Sequence, residues 1–135
     1  MDEVILPRKF INRILSHGRS AFPEEACGIL SGEGNRVRAM YETANMESSP
    51  VSYMIDTEEQ FRIMKEIRDK GMRMVAIYHS HPLSPPYPSQ TDVRLAFYPD
   101  AAYVIAGFLD RDNPEVKAFE IVDGKVMEID IKVPD

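Results

Sequence analysis

The stretch YHSHPLSPPYPSQTD, residues 78–92, holds the strongest signal for structure and chemistry in this chain. Two of the three histidines of the chain, His79 and His81, stand here one residue apart, at the end of an apolar run that is typical of a buried strand. Because residues i and i+2 of a strand point to the same face, both imidazoles are predicted to face one point. Four prolines in the next seven residues predict a stiff bend directly after the histidines.

A serine and an aspartate, Ser89 and Asp92, follow the bend with the spacing of a helix capping box. The bend is expected to bring Asp92 back beside the histidines. Two imidazoles and one carboxylate leave the fourth tetrahedral position open, which is typical of catalytic rather than structural zinc. Taken alone, the histidine pair is compatible with ordinary hydrogen-bonded side chains. Taken alone, the Ser-x-x-Asp spacing is compatible with a helix cap that has only a structural role. The combination favours a metal site.

Hydrophobic periodicity predicts three helices. LPRKFINRILSHG (6–18) is predicted to end with Gly18 just past its last turn, and TEEQFRIMKEIRDKG (57–71) is predicted to place Phe61 and Ile67 on one side. A short helix is predicted within SQTDVRLAFYPD (89–100).

Strand-like runs alternate with these helices. They cover residues 24–32, 36–45, 72–81 and 101–110 and a hairpin over 115–133, whose Asp123-Gly124 pair predicts a type I′ turn. The mixture predicts the α/β (α+β) class, with one domain spanning residues 1–135. Its centre is expected to be a mixed, largely antiparallel β-sheet flanked by helices.

Composition excludes several classes of protein. The 135 residues are 44% hydrophobic and 28% charged, as in ordinary globular domains. A net charge of −6, without a run of Lys or Arg, argues against a nucleic-acid partner. No apolar run approaches the ~20 residues that span a membrane, and the acidic N-terminus does not resemble a secretory signal, so a cytoplasmic location is expected. The single cysteine, Cys27, rules out a zinc site built from several thiolates of one chain.

The stretch HSHPLSPPYPSQTD resembles the motif of the JAMM (JAB1/MPN/Mov34, or MPN-plus) zinc metalloprotease family. That motif is His-Ser/Thr-His-Pro, followed by a serine eight residues after the second histidine and an aspartate three residues further on. Both spacings hold here, from His81 to Ser89 and from Ser89 to Asp92. The resemblance implies a single MPN domain, related in fold to the cytidine deaminases.

An upstream glutamate belongs to the same resemblance. The family places it in a setting like Glu-x-Cys-Gly-Ile/Leu-Leu, and EEACGILSG supplies Glu25, three residues before Gly28, with Glu24 as the adjacent alternative. The segment NMESSPVSYMID (45–56) is also similar to an Asn…Ser-Pro…Asp segment of bacterial and archaeal members.

The resemblance implies a role for each matched residue. His79, His81 and Asp92 would bind Zn²⁺. Glu25 would act as general base for the zinc-bound water and then as general acid to the leaving amine. Ser89 would hydrogen-bond in the site and steady the water or the developing oxyanion.

The resemblance also implies a substrate class. Family members cut peptide or isopeptide bonds after the C-terminal Gly-Gly of ubiquitin-like proteins. The compact chain is similar to the prokaryotic branch, which acts on sulfur-carrier proteins or archaeal modifiers. Release of an amino acid, maturation of a precursor and removal of a modifier from lysine all stay open, as does the oligomeric state.

Three alternative functions fit these residues less well. A non-catalytic MPN scaffold would lack the metal ligands, and a zinc deaminase needs Pro-Cys-x-x-Cys, which one cysteine cannot supply. A DNA-repair relative usually has Asn and Gly where this chain has Ser80 and Leu83. Cys27 is predicted to be an inert buried thiol, Ser80 a buried hydroxyl bonded to the main chain, and His17 a residue without catalytic chemistry.

Overall fold

The computed structural model describes residues 1–134. Their three helices and seven strands are, in chain order, β1 Glu3–Ile5, α1 Arg8–Ala21, β2 Cys27–Glu33, β3 Arg36–Thr43, α2 Thr57–Asp69, β4 Arg73–His81, α3 Gln90–Arg94, β5 Ala102–Gly107, β6 Glu115–Val122 and β7 Lys125–Lys132. No helix within this range is long and apolar enough to cross a membrane.

The strands form one closed barrel in the order β1-β3-β2-β4-β5-β6-β7. The β2–β3, β2–β4, β5–β6 and β6–β7 pairs are antiparallel, whereas β4–β5 and both pairings of β1 are parallel. The predicted fold class, a mixed and mainly antiparallel sheet with helices, is confirmed. Sequence reasoning missed β1, whose three residues join β7 to β3 and close the ring.

Helices cover both faces of the sheet. On one face α1 buries Phe10 and Ile14 against residues that include Tyr78. On the other face α2 buries Ile63 and Ile67 in a separate apolar cluster. Alternation along β4 therefore directs Tyr78 towards α1 and its neighbours in sequence towards α2.

Two details of the helices differ from the predictions. Helix α1 continues three residues beyond Gly18, which lies within the helix against the Phe108 ring, where a Cβ would meet Cε2 at 2.5 Å. Its end is set by Pro23, which disfavours a helical conformation at Phe22. In α2 the buried side chains are Ile63 and Ile67, while Phe61, which was predicted to lie on one side with Ile67, is 73% exposed.

Candidate metal centre

Strand β4 carries both histidines of the motif into the interior. It lies between β2 and β5, so His79 is paired on both sides, with Cys27 and Ile105, and His81 is paired with Gly107 of β5. His79 has no exposed surface and His81 is 4% exposed. The two residues share one face of the strand, as the i, i+2 spacing predicts, and their Nε2 atoms lie 3.1 Å apart.

Asp92 completes a small triangle with the two imidazoles. Its Oδ2 lies 3.1 Å from His79 Nε2 and 3.1 Å from His81 Nε2. The carboxylate is buried, which alone would raise its pKa. Contacts with the two histidines nevertheless hold the pKa of Asp92 well below its usual range. At neutral pH, Asp92 is therefore a carboxylate facing two ring nitrogens.

The short helix α3 fixes the direction of this carboxylate. Ser89 is its N-cap, and the Ser89 hydroxyl accepts a hydrogen bond of 3.0 Å from the Asp92 N–H. Asp92 Oδ2 accepts the Ser89 N–H in return at 2.9 Å. The capping box suggested by the sequence is thus present, and the carboxylate that closes it is the one that faces the histidines.

The proline-rich bend orients His81. Its Nδ1 lies 2.9 Å from the Pro85 carbonyl oxygen, which can only accept, so Nδ1 carries a hydrogen. When Nδ1 carries the only ring hydrogen, the lone pair of His81 Nε2 is available to a metal ion. Pro86 anchors the bend against Gly107, where an added Cβ would lie 2.6 Å from the Pro86 nitrogen.

Glu25 lies on the approach to β2, beside the histidine pair. It is 3% exposed, and a ligand atom from each of Glu25, His79 and His81 lies within 4.8 Å of the others. Its Oε1 is buried without a hydrogen-bond partner in the described residues. Burial raises the pKa of Glu25 to about 8, and the nearby charge of Asp92 adds to that shift. Glu24 is only partly buried and is not in this cluster.

The donor set fits a small cation. Two ring nitrogens and a carboxylate oxygen converge to 3.1 Å from one another, and these are donor types that zinc binds. Ligands at about 2.0–2.1 Å from a tetrahedral zinc are separated by about 3.3 Å, close to the edges of this triangle. Asp92 Oδ2 lies 3.1 Å from both histidine nitrogens, and a Glu25 oxygen lies within 4.8 Å of a nitrogen of each histidine, so either carboxylate is within reach of an ion held by the histidines.

Two contacts near His79 have no counterpart in the sequence predictions. Tyr53 stacks on its ring, with centroids 4.5 Å apart and planes at 25°. Asn45 binds the main chain of Glu25 through its side-chain amide. The resemblance of NMESSPVSYMID to a family segment was the only signal that pointed to this loop, and no periodicity marked either residue.

The other residues that the sequence analysis named lie outside the cluster. The Ser80 hydroxyl accepts the Ala26 N–H at 2.8 Å on the opposite face of β4, as predicted. Cys27 is fully buried, and burial raises the pKa of its thiol to about 11, so it is protonated at neutral pH. His17 lies on α1, where its Nδ1 and the Tyr78 hydroxyl are 2.7 Å apart.

Fold and site together define a small α/β barrel with a buried cluster of two histidines and carboxylates suited to a metal ion. The chain matches the family described as prokaryotic homologs of the JAB domain over residues 7–122. The chain belongs to this family, as its motif predicted.

Curated proteins from bacteria and archaea are similar to most of the chain. The CysO-cysteine peptidase of Mycobacterium tuberculosis is 38% identical over 132 residues, which cover 96% of this chain and 90% of that protein. A desampylase of Haloferax volcanii is 39% identical over 99 residues, covering 68% of this chain and 71% of that protein.

A solved structure shares the whole architecture. The solution structure of protein DSY2949 from Desulfitobacterium hafniense has a TM-score of 0.87 and 35% identity, covering 98% of this chain and 93% of that one. The predicted enzyme class, a peptidase of the JAMM type, is confirmed by the family and by relatives named as peptidase and desampylase. A non-catalytic scaffold and a zinc deaminase are correspondingly disfavoured.

Proposed function

We propose that this protein is a zinc-dependent peptidase that hydrolyses the bond after the C-terminal Gly-Gly of a ubiquitin-like or sulfur-carrier protein. The observation that carries the proposal is the triangle of His79, His81 and Asp92, with the unpartnered Oε1 of Glu25 beside it. The names of the two relatives support the substrate class, because one refers to a CysO–cysteine bond and the other to removal of a modifier.

The three residues of the triangle would hold the ion, with a net site charge of about +1. Zinc bound there supplies Lewis acidity and a water molecule whose pKa is lowered towards about 7. His81 is oriented by the Pro85 carbonyl and Asp92 by the α3 cap, so both side chains are in place before any ligand arrives.

Glu25 would accept the proton of the attacking water and return it to the departing nitrogen. Amide hydrolysis needs a base for the attacking water and an acid for the departing nitrogen. A buried carboxylate whose pKa is raised to about 8 can both accept and return a proton near neutral pH, and the charge of a bound cation would lower that pKa. Ser89 would hydrogen-bond in the site, since its hydroxyl hydrogen is not used when its oxygen accepts the Asp92 N–H.

The test compares two neighbouring carboxylates. Glu25→Gln should keep its zinc and its fold but lose about 10²–10⁴-fold in kcat, because general acid–base catalysis is removed. Glu24→Gln is the matched control and should stay close to wild type. Cleavage would be measured on a carrier protein bearing a C-terminal Gly-Gly-cysteine and on the same carrier joined to a lysine side chain, with zinc content determined in parallel.

The results separate the parts of the proposal. Wild-type protein without zinc, or with activity that resists 1,10-phenanthroline, would contradict the proposed dependence on zinc. Equal activity of Glu25→Gln and wild type would contradict the assigned base. Failure to cleave either carrier while other peptides are hydrolysed would contradict the substrate class only.

A further inference from the structure

The loop between β3 and α2 is organised by one side chain. We define the Asn45 loop as residues 45–54. The Asn45 amide nitrogen donates to the carbonyl oxygens of Glu25 at 3.1 Å and of Ser52 at 2.9 Å. Its Oδ1 accepts the N–H groups of Glu47 at 3.0 Å and of Met54 at 3.1 Å. Four hydrogen bonds use both donors and both lone pairs of the amide, so the Asn45 side chain has no hydrogen-bonding group left for a ligand.

The same loop holds both main-chain polar groups of Glu25. Asn45 binds the Glu25 carbonyl oxygen, and the Ser49 carbonyl oxygen accepts the Glu25 N–H at 2.8 Å. A further main-chain bond from Met46 to Met54 closes the loop on itself. The position of the Glu25 backbone therefore depends on the Asn45 loop and not only on the barrel.

Tyr53 extends the loop over His79. A histidine that binds a metal usually donates its other ring N–H to an acceptor, which fixes the ring. His81 has such a partner in Pro85, but His79 Nδ1 is buried and has none in residues 1–134. The Tyr53 ring, stacked at 4.5 Å, covers one face of the His79 ring and so restricts its orientation. Tyr53 also walls an apolar cavity of about 180 Å³ that reaches Asp92.

We propose that the Asn45 loop is a positioning element of the metal centre, in which Tyr53 sets the His79 ring and Asn45 holds Tyr53 and Glu25 in register. This inference rests on the proposed function. It assigns Tyr53 and Asn45 no contact with the reacting atoms, and it predicts that changes in the loop alter zinc affinity before they alter the fold.

The first experiment measures zinc affinity by competition with a chromogenic chelator. Tyr53→Leu removes the aromatic face and should weaken zinc binding by about 10–100-fold, the range seen when an outer contact of a ligand is lost. Tyr53→Phe keeps the stacking ring and should retain the wild-type affinity. Equal affinity for Tyr53→Leu and wild type would overturn the proposal, and so would an equal loss in both variants, because the hydroxyl would then be the important group.

The second experiment does not depend on the behaviour of Tyr53→Leu. Asn45→Asp keeps the two acceptor contacts but places a carboxylate oxygen against the carbonyl oxygens of Glu25 and Ser52. We expect weaker zinc binding and a lower kcat with little change in KM. The matched control is Asn35→Asp, outside the Asn45 loop. It loses a single hydrogen bond of 3.1 Å from the Asn35 side chain to the Glu3 carbonyl oxygen and should show neither effect.

The outcomes distinguish this inference from the proposed function. Wild-type protein that binds no zinc would overturn the proposed function and the inference together. Wild-type protein that binds zinc, with Asn45→Asp matching Asn35→Asp in affinity and kcat, would overturn the positioning role alone. Circular dichroism of the metal-free variants provides the check that each one folds.

Discussion

At the scale of single residues, Glu25 is the most unusual group in the molecule. It is a carboxylate with 3% exposure and an oxygen that no described residue bonds. An unfolded chain would ionise this group at its ordinary pKa, whereas burial raises its pKa in the folded protein to about 8. The folded state therefore holds a proton that the unfolded state has already released, and stability depends on pH.

The sign of this dependence gives a prediction for the metal-free protein. As pH rises from about 4.5 to about 8, the contribution of Glu25 to stability is progressively lost, since only the unfolded chain ionises freely. Glu25→Gln removes the titration. In thermal unfolding with chelator present, the difference in Tm between the variant and wild type should increase in favour of the variant from pH 5 to pH 8. Above pH 8 this difference should stay constant. Parallel Tm curves across this range would contradict the raised pKa.

Much of the site could be predicted from the sequence, because it depends on local rules. Alternation along a strand puts His79 and His81 on one face, and the capping spacing directs Asp92. Tyr53 could not be predicted in the same way, since its contact with His79 follows from the path of an irregular loop. That path is set by the hydrogen bonds of Asn45, which no periodicity encodes.

At the scale of elements, the contact between the proline bend and β5 links the sheet to the metal centre. Gly107 is the last residue of β5, and Pro86 lies on it so closely that a methyl group has no room. The neighbouring Pro85 carbonyl orients His81. The absence of a side chain at Gly107 therefore helps to determine where an imidazole points.

Gly107→Ala tests this link. Overpacking at the bend should cost about 1–3 kcal/mol of stability. It should also weaken zinc binding, because a displaced bend releases His81. The matched control is Gly124→Ala in the hairpin turn, where φ is +76° and nothing lies near the added Cβ.

The control should lose about 1–2 kcal/mol through backbone strain alone. Its zinc affinity should equal that of wild type. Chemical denaturation and chelator competition measure the two quantities. Unchanged zinc affinity in a destabilised Gly107→Ala protein would show that the bend is structural only.

Close contacts also explain why element boundaries were harder to predict than element types. Gly18 was expected to end α1, as glycine often ends a helix. In the structure its missing side chain instead admits the Phe108 ring, and the helix continues to Ala21. The same residue type serves either purpose, and only the tertiary neighbour decides between them.

At the scale of the whole molecule, the fold is expected to form without a metal. Two separate apolar clusters, one on each face of the sheet, bury aromatic and branched side chains that include Phe10, Tyr78 and Phe119. A chain with such a core differs from a zinc finger, which is unfolded without its ion.

Removal of zinc should therefore leave the far-ultraviolet circular dichroism spectrum unchanged while the Tm falls. Free zinc at a hundred times the Kd adds about 2.7 kcal/mol to stability, so its loss should be visible in a thermal scan. Restoring zinc should restore the Tm. Loss of the circular dichroism signal on chelation would show that the metal is structural.

The closure of the barrel by β1 has a consequence for how the chain folds and exchanges with solvent. Val4 pairs with Ile131, so this contact joins positions at the two extremes of the sequence. The entropy of closing so long a loop has to be overcome before the contact forms, and such high contact order delays it. We expect the pairing of β1 with β3 and β7 to form last during folding and its amides to exchange first with solvent. The two histidines of the metal centre lie on β4, across the ring from β1, so amides of β1 should exchange without disturbing turnover.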